Sequence, residues 1–298
     1  MKILVILHGL ISLSTLFFSS SSDLFDKFES LLNINHKSYQ KTFDENQSNV
    51  GVWLSGAAYC NKDKYLSMKL NGPAEGFIVT EVLYDKRTDL QGFIGILPST
   101  STIYITFRGT SSILNWLDDI EVRQTAYITF PECGCKVHSG FYKSTLSLSD
   151  KVLEYIIKLK SKYPTYQIIT TGHSLAASIS QLISMELSKH NIESSIYNYG
   201  QPRVGNQKYA EFVNKKITNY WRFTHNKDMV PHVPPMKEMD YYHSCIEVFQ
   251  NEKNQTQICG ECEDPRCSNQ YTLYETNTKD HLVYLNHVLS CEDSATIY

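Results

Sequence analysis

Tyr166-Gln-Ile-Ile-Thr-Thr171 runs without a break into Gly172-His173-Ser174-Leu175-Ala176, and Leu175 to His190 follows as a helical stretch. The first six residues have the β-branched character of a strand. A serine at the junction of strand and helix sits where a sharp turn lifts its hydroxyl to the top of a sheet as a nucleophile. Such a turn brings strand and helix close together, so the residues two before and two after the serine must be small. Gly172 and Ala176 meet that need. The competing role for Ser174 is an ordinary helix N-cap, for which serine is favoured.

The surroundings alternate in the same way. Gly92 to Leu97 and Ile103 to Arg108 read as strands. Ser144 to Tyr163 carries Leu148, Val152, Leu153, Ile156, Ile157 and Leu159 at helical spacing, and Pro164 ends it. Ser195 to Tyr199 is a strand, Asn206 to Lys216 a helix and Asn219 to Thr224 a strand. This alternation predicts an α/β fold with a mostly parallel central sheet covered by helices. Reactive groups then belong just beyond the carboxyl ends of strands, in the loops after Arg108, Thr171 and Thr224. The Cys-rich stretch from Cys245 to Ser268 reads as an irregular, disulfide-held surface loop.

The whole chain sets the bounds. Its 298 residues are 42% hydrophobic and 20% charged, which fits a globular protein rather than a disordered one. A net charge of −3 gives no electrostatic ground for a nucleic-acid partner. Met1-Lys2, an apolar run from Ile3 to Phe18 and Ser19 to Ser22 read as a secretory signal peptide over residues 1–22. A membrane anchor needs about 20 apolar residues, and His8, Ser12, Ser14 and Thr15 interrupt this run. Residues 23–298 are expected to form a single domain.

All eight cysteines follow the leader: Cys60, Cys133, Cys135, Cys245, Cys259, Cys262, Cys267 and Cys291. An even number in an exported chain points to disulfides. Four thiolates from Cys245, Cys259, Cys262 and Cys267 form the alternative, a zinc site, which an oxidising compartment disfavours. Asn46 and Asn254 open N-glycosylation acceptor triplets.

A serine nucleophile needs a base and a carboxylate to orient that base. Asp228 follows the strand ending at Thr224, where such an acid belongs; Asp240 is the next acid considered and lacks a preceding strand. His232, His243, His281 and His287 are all candidate bases, and residue mechanics do not choose among them. Attack on an ester also needs backbone N–H donors aimed at the developing oxyanion. The residue after the nucleophile, Leu175, supplies one.

Six segments in order resemble the fungal-type class 3 lipases, a branch of the α/β-hydrolase superfamily. They are Thr106-Phe-Arg-Gly-Thr110, Val137-His-Ser-Gly-Phe141, Gly172-His-Ser-Leu-Ala176, Tyr199-Gly-Gln-Pro-Arg-Val-Gly205, Asn226-Lys-Asp-Met-Val-Pro231 and Asp280-His-Leu-Val-Tyr284. The family core spans about 103–239, with the histidine segment at 280–291. The resemblance implies Ser174, Asp228 and His281 as the triad and Thr110 as the second oxyanion donor. It also implies a Cys60–Cys291 disulfide, while Cys133 and Cys135 are expected to bridge locally. The chain departs from the family at Ala176-Ala177-Ser178, where Gly-Gly-Ala is usual, and this bears on packing at the turn.

The same resemblance turns Ser111 to Asp119 into a lid, with Ile113, Leu114, Trp116 and Leu117 on one side of a short helix; the plain alternative is a core-facing helix. The implied activity is secreted hydrolysis of lipid carboxylic esters, triacylglycerols foremost, at a lipid–water interface. Contact with the lipid surface is peripheral, and the chemistry needs no metal or organic cofactor. Phospholipase or feruloyl-type esterase activity uses the same triad, and a catalytically dead lipid-binding protein is the alternative of another class. Delivery to a lysosome-like vacuole is the alternative to export.

Overall fold

The computed structural model describes residues 43–110, 112, 115, 117 and 122–297. The expected leader at 1–22 lies outside the described residues, as do Ile113, Leu114 and Trp116 of the expected lid. Among the described residues no helix is long and apolar enough to cross a membrane.

Eight strands form the central sheet: β1 Ile78–Asp85, β2 Leu90–Leu97, β3 Thr102–Phe107, β4 Gln167–His173, β5 Ser195–Tyr199, β6 Tyr220–His225, β7 Glu247–Gln250 and β8 Thr256–Ile258. Their order across the sheet is their order along the chain. β1, β2 and β3 pair antiparallel, β3 to β7 pair parallel, and β8 closes the edge antiparallel to β7. β2 and β3 are buried throughout, which is why they read as continuous apolar runs.

Helix α1 (Glu45–Ala57) covers one face of the sheet, and α4 (Leu175–Lys189) covers the other. On the α1 side Gly51 approaches so closely that a Cβ there would lie 2.7 Å from the Tyr199 hydroxyl oxygen. On the α4 side Thr170 Oγ1 and Ser184 Oγ are 2.7 Å apart, and Asn198 Nδ2 donates to the Ala177 carbonyl. Successive strand residues thus serve opposite faces, as the pleat requires. Helix α5 (Gln207–Lys216) lies between β5 and β6 in sequence and is capped by Asn206, whose Oδ1 accepts from Tyr209 N.

Two sequence expectations need correction. The single helix expected from Ser144 to Tyr163 is two helices, α2 (Ser139–Leu146) and α3 (Ser149–Lys162). At the break the Ser147 hydroxyl donates to the Ser144 carbonyl, and the Ser147 and Leu148 amides make short-range bonds to Ser144 and Thr145. Serine competes with the helix in this way, while Leu148 remains buried and keeps the apolar period running across the gap.

The stretch from Cys245 to Ser268 is not wholly irregular, because it contributes β7 and β8 to the sheet. β7 is only four residues long and begins with Glu247, a residue type that disguises a buried strand. Glu247 is tolerated there because Arg222 Nη2, Thr224 Oγ1 and Ser268 N all donate to its carboxylate. The cysteines around it are joined as Cys245–Cys262 and Cys259–Cys267, so the four sulfurs of the alternative zinc site are committed to each other. Cys60 is bonded to Cys291 and Cys133 to Cys135.

Candidate active site

Ser174 stands between β4 and α4 with φ +60° and ψ −132°. A non-glycine residue in that region marks a strained turn held by its surroundings. The constraint is visible at Gly172, where a Cβ would lie 2.6 Å from the Ala176 carbonyl carbon and oxygen and 2.9 Å from Ala177 N. The crowding involves the Ala176 backbone, so alanine is accommodated at 176 while glycine is required at 172. Ser174 N donates to the Tyr199 carbonyl at 3.0 Å, which ties the turn to the end of β5. The side chain makes no capping bond, and its buried Oγ has no hydrogen-bond partner. The capping role considered for Ser174 is therefore not the one it plays.

Asp228 follows β6 and is buried. Its Oδ1 accepts from Val230 N at 2.8 Å, and its Oδ2 faces His281 Nδ1 at 2.8 Å and also accepts from the Tyr284 hydroxyl. His281 Nε2 is buried and carries no partner. Thus the hydroxyl of Ser174, at the carboxyl end of β4, and the imidazole Nε2 of His281, with the Asp228 carboxylate behind the ring, are both bare. The imidazole is seated against Gly200, whose φ is +56° and whose Cβ, if present, would lie 2.8 Å from His281 Cε1.

The other candidate bases lack a carboxylate behind the ring. His243 Nε2 donates to the Pro231 carbonyl, and His287 stacks on Trp53 with ring centroids 4.2 Å apart. Burial lowers the pKa of His232, and no carboxylate bonds its ring. Asp240 is exposed and ends a short helix with φ +54°.

Thr110 and Leu175 line one cleft together with Arg108, Gly109 and Ser144. Leu175 is the first residue of α4, so its N–H has no partner within the helix and is free to face a ligand. Gly109 brings the Thr110 loop against the end of β4, since a Cβ at 109 would lie 2.7 Å from the His173 carbonyl oxygen. Of the expected lid, Asn115 and Leu117 have helical backbone, and Leu117 is half-buried.

Residues 104–238 match the model of the family described as Lipase (class 3). A lipase of Rhizomucor miehei is 34% identical over 194 residues, 62% of this chain and 52% of that relative. These likenesses are to the class 3 lipases. A secreted mono- and diacylglycerol lipase of Fusarium solani is 26% identical over 75% of this chain and 69% of its own length. A solved triacylglycerol lipase, described as having a serine protease triad as its catalytic centre, superposes with a TM-score of 0.76 at 28% identity, covering 83% of this chain and 96% of its own. The architecture is the α/β-hydrolase fold. The chain spans about half the length of the Rhizomucor miehei relative.

Several residues that hold the site have no role assigned from the sequence. Asp280 accepts from Asn226 Nδ2, Lys227 N and Asn277 Nδ2, and so fastens the histidine segment to the aspartate loop. Tyr284 shares Asp228 with His281; burial, with the Asp228 charge beside it, raises the pKa of its phenol and keeps it a donor. Both residues lay inside the segment Asp280 to Tyr284 quoted for its histidine, so the signal was present and only the roles were unread. His173 likewise lay inside the segment Gly172 to Ala176, whereas Tyr59 lay in none of the six segments.

Proposed function

We propose that this chain hydrolyses carboxylic esters of lipids, with triacylglycerols as the principal substrate. The observation that carries this reading is the bare Ser174 hydroxyl on a strained turn, together with a His281 whose Nδ1 rests on Asp228 and whose Nε2 is bare. His281 takes the Ser174 proton as Oγ attacks the ester carbonyl. The N–H groups of Leu175 and Thr110 stabilise the oxyanion, and His281 then protonates the departing alcohol. Water repeats the sequence on the acyl-enzyme.

A serine-directed phosphonate should label the wild type and leave Ser174→Ala unlabelled. Triacylglycerols, phospholipids and short aryl esters, offered side by side, then rank the substrates. A second reading, hydrolysis of partial acylglycerols, is favoured by the name of the Fusarium solani relative. Faster turnover of mono- and diacylglycerols than of triacylglycerols would replace the first reading with this one.

The segment containing Ile113, Leu114, Trp116 and Leu117 is the lid in this reading. Exposing each such side chain costs about 1.5–3 kcal/mol in water when it starts fully buried, and a lipid surface offsets that cost. Trp116→Ala should lose more activity on micellar than on monomeric ester, and equal losses would remove the lid. Export is supported by the secreted relative, and in this reading it runs through a leader at 1–22 ahead of a single domain at 23–298. Asn46 and Asn254 are both exposed and suit glycans.

A further inference from the structure

His173 precedes the nucleophile yet points away from it, and both of its ring nitrogens are engaged. Nε2 lies 2.8 Å from the main-chain carbonyl oxygen of His281, and Nδ1 lies 2.7 Å from the Tyr59 hydroxyl. A carbonyl oxygen only accepts, so Nε2 carries the proton. Burial holds the His173 pKa well below the ordinary histidine value, and the neighbouring His281 acts in the same direction. The ring is therefore neutral, Nδ1 is an acceptor, and Tyr59 donates to it. The rings of His173 and His281 also pack together, with centroids 4.3 Å apart.

Tyr59 reaches a third element. A Cβ on Gly109 would lie 2.3 Å from the Tyr59 hydroxyl oxygen and 2.7 Å from the His173 carbonyl oxygen. The tyrosine and histidine thus meet the loop after β3 that carries Thr110, the turn that carries Ser174 and the segment that carries His281. Tyr59 also adjoins Cys60, whose disulfide to Cys291 fastens the same region from behind.

We propose that Tyr59 and His173 are positioning residues: the Tyr59 hydroxyl fixes the Nε2–H tautomer of His173, and that N–H holds the main chain of His281 in register with Ser174 and the Thr110 loop. This rests on the triad reading above. His173 is only 2% exposed, and its one N–H is spent on the His281 carbonyl.

The test has one arm that needs no turnover. Two-bond nitrogen–proton correlations on 15N-histidine-labelled full chain should show His173 protonated at Nε2 in the wild type. Tyr59→Phe should introduce the Nδ1–H form. An Nδ1–H wild type, or a tautomer indifferent to Tyr59→Phe, overturns the proposal whether or not the chain is an esterase. The second arm is kinetic, on a soluble aryl ester. A misplacement of catalytic groups by about 1 Å is worth on the order of 100-fold in rate. His173→Leu, which fills space without a donor, should lower kcat about 10- to 100-fold with KM nearly constant. His173→Gln, whose amide N–H reaches the Nε2 position, should restore activity to within about fivefold of wild type. If glutamine is as impaired as leucine, or if the loss falls on KM, the positioning role is wrong. A wild type that takes no phosphonate and turns over no ester sinks the triad reading and this proposal's link to catalysis, whereas a tautomer failure leaves the triad standing.

Discussion

The Tyr284 hydroxyl donates to Asp228 Oδ2, the same carboxylate oxygen that faces His281 Nδ1. Two donors on one oxygen fix the carboxylate plane, and Val230 N on the other oxygen completes the cradle. A hydrogen bond to a charged group is worth about 1.5–3 kcal/mol. Tyr284→Phe keeps the ring and removes one donor from an Asp228 that stays buried. The expected outcome is a kcat/KM reduced about tenfold, with stability lower by about 1–2 kcal/mol. Steady-state kinetics on an aryl ester and a urea titration check both, and unchanged kcat/KM would show that His281 needs no such support.

The turn at Ser174 separates two substitutions that look alike in sequence. Gly172→Ala drives a Cβ to 2.6 Å from backbone atoms of Ala176, which cannot retreat without moving α4. A loss of about 3 kcal/mol is expected, by overpacking against main chain. Ala176→Gly instead restores the family's usual residue. It should cost only about 1–2 kcal/mol, from helix propensity and a lost buried methyl, and should leave esterase activity within twofold. Thermal melts of the two variants decide; equal losses would contradict the contact geometry.

The parallel core was legible because β3, β4, β5 and β6 are β-branched or aromatic runs separated by helices of ordinary length. Ser174 and Asp228 were legible because each follows such a strand. His281 was legible only through the family resemblance, because residue mechanics do not choose it. Four histidines follow Asp228, and what distinguishes His281 is a carboxylate 53 residues away in sequence and a glycine at 200 that makes room for its ring. The bounds of helix α1 were not legible from periodicity, because it is buried on most of its circumference and Glu45 to Ala57 shows little amphipathic contrast. Strand β7 was hidden by Glu247, whose partner Arg222 lies on another strand. Pairings of that kind exist only after folding.

His138 makes the stability of the fold sensitive to acid. Its Nδ1 accepts from Gly140 N and Phe141 N at the start of α2, its ring stacks on Phe141 at 3.8 Å, and burial lowers its pKa from 6.5 to about 4. Because the folded value lies below the unfolded one, the unfolded chain binds the proton first. The contribution is fully present above pH 6.5 and is lost as the pH falls from 6.5 towards about 4. Between pH 7 and pH 4.5 the wild type should lose about 2 kcal/mol more than His138→Asn, in which asparagine can still cap the helix but does not titrate. Urea titrations at the two pH values measure the difference, and parallel losses in both proteins would remove His138 as the source.

The Cys60–Cys291 and Cys133–Cys135 disulfides differ in what they close. The first joins cysteines separated by 231 positions, while the second spans 2. If a crosslink acts by restricting the unfolded chain, its effect grows with the logarithm of the loop it closes. Replacing Cys60 and Cys291 together by serine should then destabilise the fold by about 5–6 kcal/mol, against about 1–2 kcal/mol for the Cys133 and Cys135 pair. The long crosslink also holds Lys69–Leu70 near its partner strand Ala295–Thr296 and stands next to Tyr59. Its loss should therefore lower kcat even in solutions where the fold remains intact, whereas loss of the short crosslink should not. Guanidinium titrations give the stabilities, and kcat measured well below each unfolding midpoint separates the local effect from the global one. Equal destabilisation by the two pairs would show that loop closure is not how these bonds act.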